Sequence, residues 1–209
     1  MTTRRTGLRE QKKQATREAL REAALRLALE RGLENVRVDD IAEAAGVSPR
    51  TYNNYFSSRE QAIVAAVTAE REARVAAAVA ARPDVGLAEA VVEAIVEQYT
   101  DPGESHRDAL LLITARPALR EAFVETAGAV EHPLADVIAR RLGDTDAHTP
   151  RVLAASVAAA IRVALHAWVQ PSAATSGLVV LSGSLPDLLR AALSPLAPAL
   201  DAAEQRAQQ

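Results

Sequence analysis

The chain has 209 residues, 49% of them hydrophobic but only 3% aromatic, and it contains no cysteine, which excludes disulfides, thiol catalysis and thiolate metal sites. Alanine and leucine dominate the apolar fraction; helices accept these residues at least cost, so an all-α fold is expected. The net charge of −3 is uneven, with +4 on residues 1–59 and −7 on the remainder, a distribution that suits contact with a polyanion through one end.

The N-terminal run TTRRTGLREQKKQ has no apolar stretch behind its positive charge, so it reads as a basic arm and not as a secretory signal. Over residues 1–17, Arg4, Arg5, Arg9, Lys12, Lys13 and Arg17 oppose a single acid, Glu10. That pattern fits a segment that follows a nucleic-acid backbone or enters a minor groove, and it also fits a solvated tail. From Leu8 to Arg31, Ala19, Leu20, Ala23, Ala24, Leu27 and Ala28 recur at three- and four-residue steps, marking an amphipathic helix. Gly32 is placed to end it in the left-handed conformation. A second helix is expected over Val38 to Ala45, with Asp39 and Asp40 in its first turn, and Gly46 breaks it. Ser48 is then the N-cap and Pro49 the first residue of a third helix, roughly Pro49 to Tyr55.

Two short helices joined by a glycine turn form a helix-turn-helix. Ala42 lets them approach, while Ile41, Ala45, Val47 and Tyr52 are spaced to fill the core between them and the first helix. Pro49, Arg50, Thr51, Asn53, Asn54 and Tyr55 remain as a surface rich in groups that bond base edges and phosphates.

A fourth helix follows Ser57 or Ser58 and runs to about Ala81, connecting residues 1–59 to a second domain of residues 60–209. Further helices are expected near Leu87 to Thr100, Glu104 to Thr114, Pro117 to Leu142, Pro150 to Val169 and Gly177 to Leu193, nine in all. Pro133 and Pro186 should kink or split the helices that contain them. The tail Asp201 to Gln209 is polar and expected to fray. Val152 to Val169 is nearly long enough to suggest a membrane span, but Ser156, Arg162 and His166 interrupt it, so a buried helix is expected and no membrane.

The run Thr16-Arg17-Glu18-Ala19-Leu20 through Leu33, then Val38-Asp39-Asp40-Ile41-Ala42-Glu43-Ala44-Ala45-Gly46-Val47-Ser48-Pro49-Arg50-Thr51-Tyr52-Asn53-Asn54-Tyr55-Phe56-Ser57-Ser58-Arg59-Glu60, closely resembles the DNA-binding domain of the TetR family of bacterial regulators. The resemblance covers about residues 9 to 65. It implies an all-helical homodimer joined through the last two helices of each subunit, with a ligand cavity among the middle helices. It also implies phosphate contacts from Tyr55 and Arg59, and base contacts from Arg50, Thr51, Asn53 and Asn54, with Ser48 and Pro49 beside them. Two residues depart from the family pattern. Arg37 stands where a capping threonine is usual and is suited to pair with a phosphate, and Asn53-Asn54 stand where aromatic or basic residues are common, as paired amides suited to adenine.

These expectations amount to a cytoplasmic transcriptional repressor without a cofactor, nucleoid-associated when bound to a near-palindromic double-stranded operator and released by a small, largely apolar effector. Candidate effector contacts are Tyr99, His106, Leu110, Ile113, Phe123, Val130, Leu134, His166 and Trp168, each of which taken singly reads more readily as ordinary core. Arg107, Arg116 and Arg120 are suited to an acidic head group, and Pro117-Ala118-Leu119-Arg120 with Trp168 resembles regulators that sense acyl-CoA thioesters. An enzyme is disfavoured because there is no G-x-S-x-G elbow and no phosphate-binding glycine loop. His106, His132, His148 and His166 lack paired metal spacing, so no metal site is expected. An architectural DNA-binding protein would share the basic head without needing a large acidic helical body.

Overall fold

The computed structural model describes residues 2–68, 71–100, 107–143, 148–169 and 184–208, and only the backbone of residues 2–8, 10, 107 and 110. The described residues form helices and no strands. Two compact units are present, residues 1–69 with 106–123 and residues 70–105 with 124–209.

The first unit opens with α1, Thr2–Arg31, which begins well before the expected Leu8, so the backbone of the basic arm is helical and continuous with the first helix. Its apolar stripe of Leu20, Ala23, Ala24, Leu27 and Ala28 is buried against α4, Arg59–Thr68, and α2, Val38–Ala44. Gly32 ends α1 with φ 77° and ψ 146°, a positive φ as expected but with extended ψ in place of the left-handed cap; essentially only glycine occupies that region. Leu33–Asn35 is a single 3-10 turn. α2 leads through Gly46, at φ 69°, into α3, Pro49–Tyr52. The turn is closed by Gly46 N–H to Glu43 O at 2.9 Å and Val47 N–H to Ala42 O at 2.9 Å. Ile41, Ala42 and Tyr52 are fully buried, whereas Ala45 and Val47 are only half-buried because they sit in the turn itself. A β-carbon at Gly46 would meet nothing within 4 Å. Gly46→Ala should therefore cost only the left-handed backbone term, roughly 1–2 kcal/mol. Denaturant unfolding with an unshifted midpoint would contradict this reading of the turn.

α7, Arg107–Ala115, packs on α1 and α4, and Pro117 opens α8, Pro117–Glu125. The long helix expected from Pro117 to Leu142 is divided by a 3-10 turn at Thr126–Val130, after which α9 spans Glu131–Leu142. Pro133 then falls in the first turn of α9, where a proline is tolerated. α9 ends at Gly143 in the left-handed conformation.

The second unit is built from α5, Arg71–Ala80, α6, Leu87–Thr100, α9, α10, Thr149–Val169, α11, Leu185–Leu193, and α12, Ala197–Ala207. Its core contains Val75, Val79, Leu87, Val91, Ile95, Leu134, Ile138, Val157, Ile161, Leu165 and Leu189. α4 and α5 are separated only by residues 69 and 70, while 3-10 turns join α8 to α9 and α11 to α12. Counted as pairs, these segments make nine helices among the described residues, as expected. The stretch expected to be helical from Gly177 lies outside the described residues up to 183. Ser184 caps α11 by accepting from Asp187 N–H at 3.3 Å, which places Pro186 in the first turn, where it does not kink the helix. By length and composition α10 could cross a membrane. Its buried side faces the unit's interior through Leu153, Val157, Ile161 and Leu165.

The expected frayed tail is instead a helix tied into the unit. The Glu204 carboxylate accepts from Leu87 N–H at 2.8 Å and from Arg141 Nε at 2.6 Å, and Asp201 accepts from Ala88 N–H at 3.4 Å. Two carboxylates thus serve the open N–H groups at the start of α6 and meet the positive end of its dipole. The Arg141 guanidinium also donates to Arg82 O at 3.0 Å and to Val85 O, holding the loop between α5 and α6. Polar composition suggested fraying, but these side chains have buried partners.

Candidate nucleic-acid interface

Local rules place α3. Ser48 Oγ accepts from Thr51 N–H at 3.1 Å and lies 2.9 Å from Thr51 Oγ1, while Pro49 occupies the first helical position. The helix is shorter than expected, because Asn54 and Tyr55 bond three residues back, to Thr51 O and Tyr52 O at 3.1 and 2.8 Å. Asn53–Tyr55 therefore form a tight turn and not a further helical turn.

Tyr52 anchors this piece from below. Its ring is fully buried, packs on Phe56 at 5.9 Å between centroids, and its hydroxyl donates to Ser58 O at 2.8 Å. Burial raises the phenol pKa and the Glu60 charge adds to the effect, so Tyr52 remains a neutral donor. With Tyr52 turned inward, Pro49, Arg50, Asn53 and Asn54 are exposed and Thr51 and Tyr55 half-exposed, forming one continuous polar surface.

Arg37 is exposed at the N-cap of α2. Its backbone N–H donates to Asp40 at 2.8 Å, so the acid at the third helical position closes this end without a hydroxyl cap. Arg59 is engaged inside the unit, donating through Nη1 to Val36 O at 2.6 Å and through Nε to Glu60 at 2.8 Å. It thereby links the start of α4 to the strap before α2. Burial would raise the Glu60 pKa, but the Arg59 hydrogen bond and charge, a backbone N–H and Ser58 outweigh it and lower the value. The sequence reading overlooked Ser58 and Gln61 as a capping pair. Ser58 Oγ accepts from Gln61 N–H at 3.1 Å, and Gln61 Oε1 accepts from Ser57 N–H at 2.8 Å. The Ser-x-x-Gln spacing was the available signal.

On α1, Arg9, Lys12, Lys13 and Arg17 are exposed, and the Arg17 guanidinium lies 5.6 Å from the Phe56 ring centroid. The side chains of Arg4 and Arg5 lie outside the described residues.

The candidate effector contacts are distributed between the two units. Ile113, Arg116 and Phe123 belong to the first, and Tyr99, Val130, Leu134, His166 and Trp168 to the second. Tyr99, Ile113, Phe123, Val130 and Leu134 are buried. Arg116 is exposed and paired with Glu34 at 3.2 Å, and Arg120 donates to Thr114 O at 3.0 Å. His166 is on the exposed side of α10 and Trp168 is half-buried, because the 3.6-residue period turns His166 to the same side as Arg162 and Val163. His106 lies outside the described residues, as do the side chains of Arg107 and Leu110. The sequence reading missed Arg71, which is 4% exposed with its guanidinium 4.5 Å from the Tyr99 ring centroid. Burial pushes the Arg71 pKa down and that of Tyr99 up to about 12.

Residues 20–66 match the family model of bacterial regulatory proteins of the tetR family, and residues 83–201 match that of the MftR C-terminal domain. The HTH-type transcriptional regulator TcmR of Streptomyces glaucescens is 30% identical over 174 residues, spanning 78% of this chain and 76% of that protein. A TetR-family regulator from a Rhodococcus species, known from its crystal structure, is 21% identical, with 90% of this chain and 99% of that one covered and a TM-score of 0.43. A domain model spanning over half the sequence, joined to a head model and to a regulator related along most of its length, places the chain in the TetR family of DNA-binding transcription regulators, which are not enzymes.

Proposed function

We propose that this regulator is a homodimeric repressor that binds a near-palindromic operator through α3 and is released by a small, largely apolar effector. The observation that carries this reading is the split of α3 and its turn into a buried anchor, Tyr52, and an exposed polar face of Arg50, Asn53 and Asn54. Arg50 has the donors for guanine, and the two amides have the donor and acceptor pair for adenine. Thr51 is the further base contact, while Tyr55, Ser48 and Arg37 flank these groups and serve the phosphates, with Pro49 beside them at the start of the helix.

Dimerisation is supported by α10, whose outer side presents Val152 and Val163, 62% and 65% exposed, with half-exposed Ala155 and Ala159 between them. Small residues there permit close helix approach, and an isologous interface would give the two heads the symmetry of a palindrome. The buried aromatic and aliphatic groups Tyr99, Val130 and Leu134 of the second unit support an apolar effector. Its leverage is its differential affinity for the two head spacings; a ten- to hundredfold release needs roughly 1.4 to 2.7 kcal/mol. Residues 1–59 then act as the DNA-binding domain and residues 60–209 as the sensing and dimerisation domain, all within the cytoplasm.

Selection of bound sequences from a random double-stranded DNA pool, repeated with Arg50→Ala, Asn53→Ala and Asn54→Ala, tests the reading. The expected result is a palindromic consensus that relaxes at separate positions in the variants, each by about 1–3 kcal/mol of discrimination. Retention without enrichment, dependent on salt alone, would favour an architectural protein.

A further inference from the structure

One face of α1 changes chemistry along its length. Leu20, Ala24 and Leu27 are buried at three- and four-residue steps. Continued toward the N-terminus on the same side, those steps reach Arg17, Lys13 and Arg9, all exposed, with exposed Lys12 beside them. In the sequence the next four-residue step is Arg5. Arg17 marks the change, because its guanidinium rests near Phe56, which in turn packs on Tyr52 of α3. The basic ridge thus starts against the seat of the recognition helix and extends outward from Arg17 to Arg9 for about 12 Å at 1.5 Å per residue.

This placement is unfavourable for the helix in isolation. Cations four residues apart repel one another, and cations near a helix N-terminus oppose its dipole. No acidic residue occupies the first turn of α1. A row of cations one helical turn apart carries no pattern for reading bases, but it does complement a row of phosphates.

We propose that the N-terminal part of α1 is a phosphate rail: Arg9, Lys12, Lys13 and Arg17 lie along the DNA backbone beside the groove entered by α3, and the contact stabilises this stretch as helix. The rail is a continuation of the first helix of the DNA-binding unit, and it raises affinity for any duplex without altering sequence preference. It rests on the DNA-binding reading above, though not on the existence of a palindromic operator.

The test measures the salt dependence of binding for the full chain and for Arg9→Gln/Lys13→Gln, on the selected duplex and on a random-sequence duplex of the same length. Amide exchange of residues 9–17 is followed with and without DNA. Glutamine preserves helix propensity at these exposed sites. The plot of log affinity against log salt should become shallower on both duplexes by about 2 per bound subunit, hence by about 4 for a dimer, at about 0.9 per phosphate contact. The selected consensus should be unchanged, and residues 9–17 of the unsubstituted chain should exchange more slowly on DNA. An unchanged slope, or no added protection, overturns the rail while leaving operator recognition intact. If the selected and random duplexes bind alike but the slope still falls, the rail stands and specific recognition fails.

Discussion

Tyr52→Ala is expected to destabilise the DNA-binding unit by about 3–5 kcal/mol and to abolish specific DNA binding with it. The ring is fully buried, so its removal leaves a cavity beneath α3, and the Ser58 carbonyl loses its 2.8 Å donor. Tyr52→Phe keeps the packing and should cost about 1 kcal/mol, the net worth of one hydrogen bond. Far-UV circular dichroism during denaturant unfolding measures both. Folding raises the phenol pKa above its ordinary value of 10.0, so the hydroxyl's contribution is complete below that pH and is lost as the pH rises through the folded value. Tyr52→Phe should remove this alkaline dependence. The exposed Asn54 gives the contrast, since Asn54→Ala should weaken operator binding without moving the unfolding midpoint. A Tyr52→Ala protein with the parental midpoint would contradict the assignment of Tyr52 as the anchor of α3.

The second large effect is expected in the other unit. Arg141→Ala should cost about 3–5 kcal/mol, because it strands a carboxylate and two carbonyls that the guanidinium serves. The Arg141 and Glu204 side chains are 14% and 15% exposed and meet at 2.6 Å, a geometry far from that of a solvated surface pair. Glu204→Gln should cost less than Arg141→Ala, since the amide oxygen can still accept from Leu87 N–H while the charge pairing is lost. Trp168, the only tryptophan in the chain and half-buried on α10, is the fluorescence reporter for this unit. An Arg141→Ala midpoint within experimental error of the parent would show that the Arg141 contacts contribute nothing and that α12 is held without them, by its carboxylate bonds to α6 and by Leu200 and Ala203.

The helix-turn-helix was legible because its determinants act over a few residues. Gly46 supplies the positive φ, Ser48 bonds an N–H three residues away, Pro49 needs no N–H, and Leu20, Ala24 and Leu27 repeat at the helical period. Each of these is a statement about near neighbours, and family resemblance reinforced it. The length of α3 was less legible, because the switch from four-residue to three-residue bonding at Asn54 carries no residue signature.

The sequence by itself determined the all-helical class, the order of most helices, the glycine and proline breaks and the polar face of α3, all of which follow from local propensity, capping and periodicity. Only the tertiary structure decided which charged side chains are solvated and which are spent inside. Glu204 and Asp201 serve N–H groups more than a hundred residues away, Arg59 reaches Val36, Arg116 reaches Glu34, and Arg71 is buried over Tyr99. A carboxylate or guanidinium reads the same in sequence whether water or a distant backbone group completes its bonds. The rotation of α10, which turns His166 outward and Leu165 inward, was likewise settled by packing, because a helix apolar on most sides does not announce which side its own fold will cover.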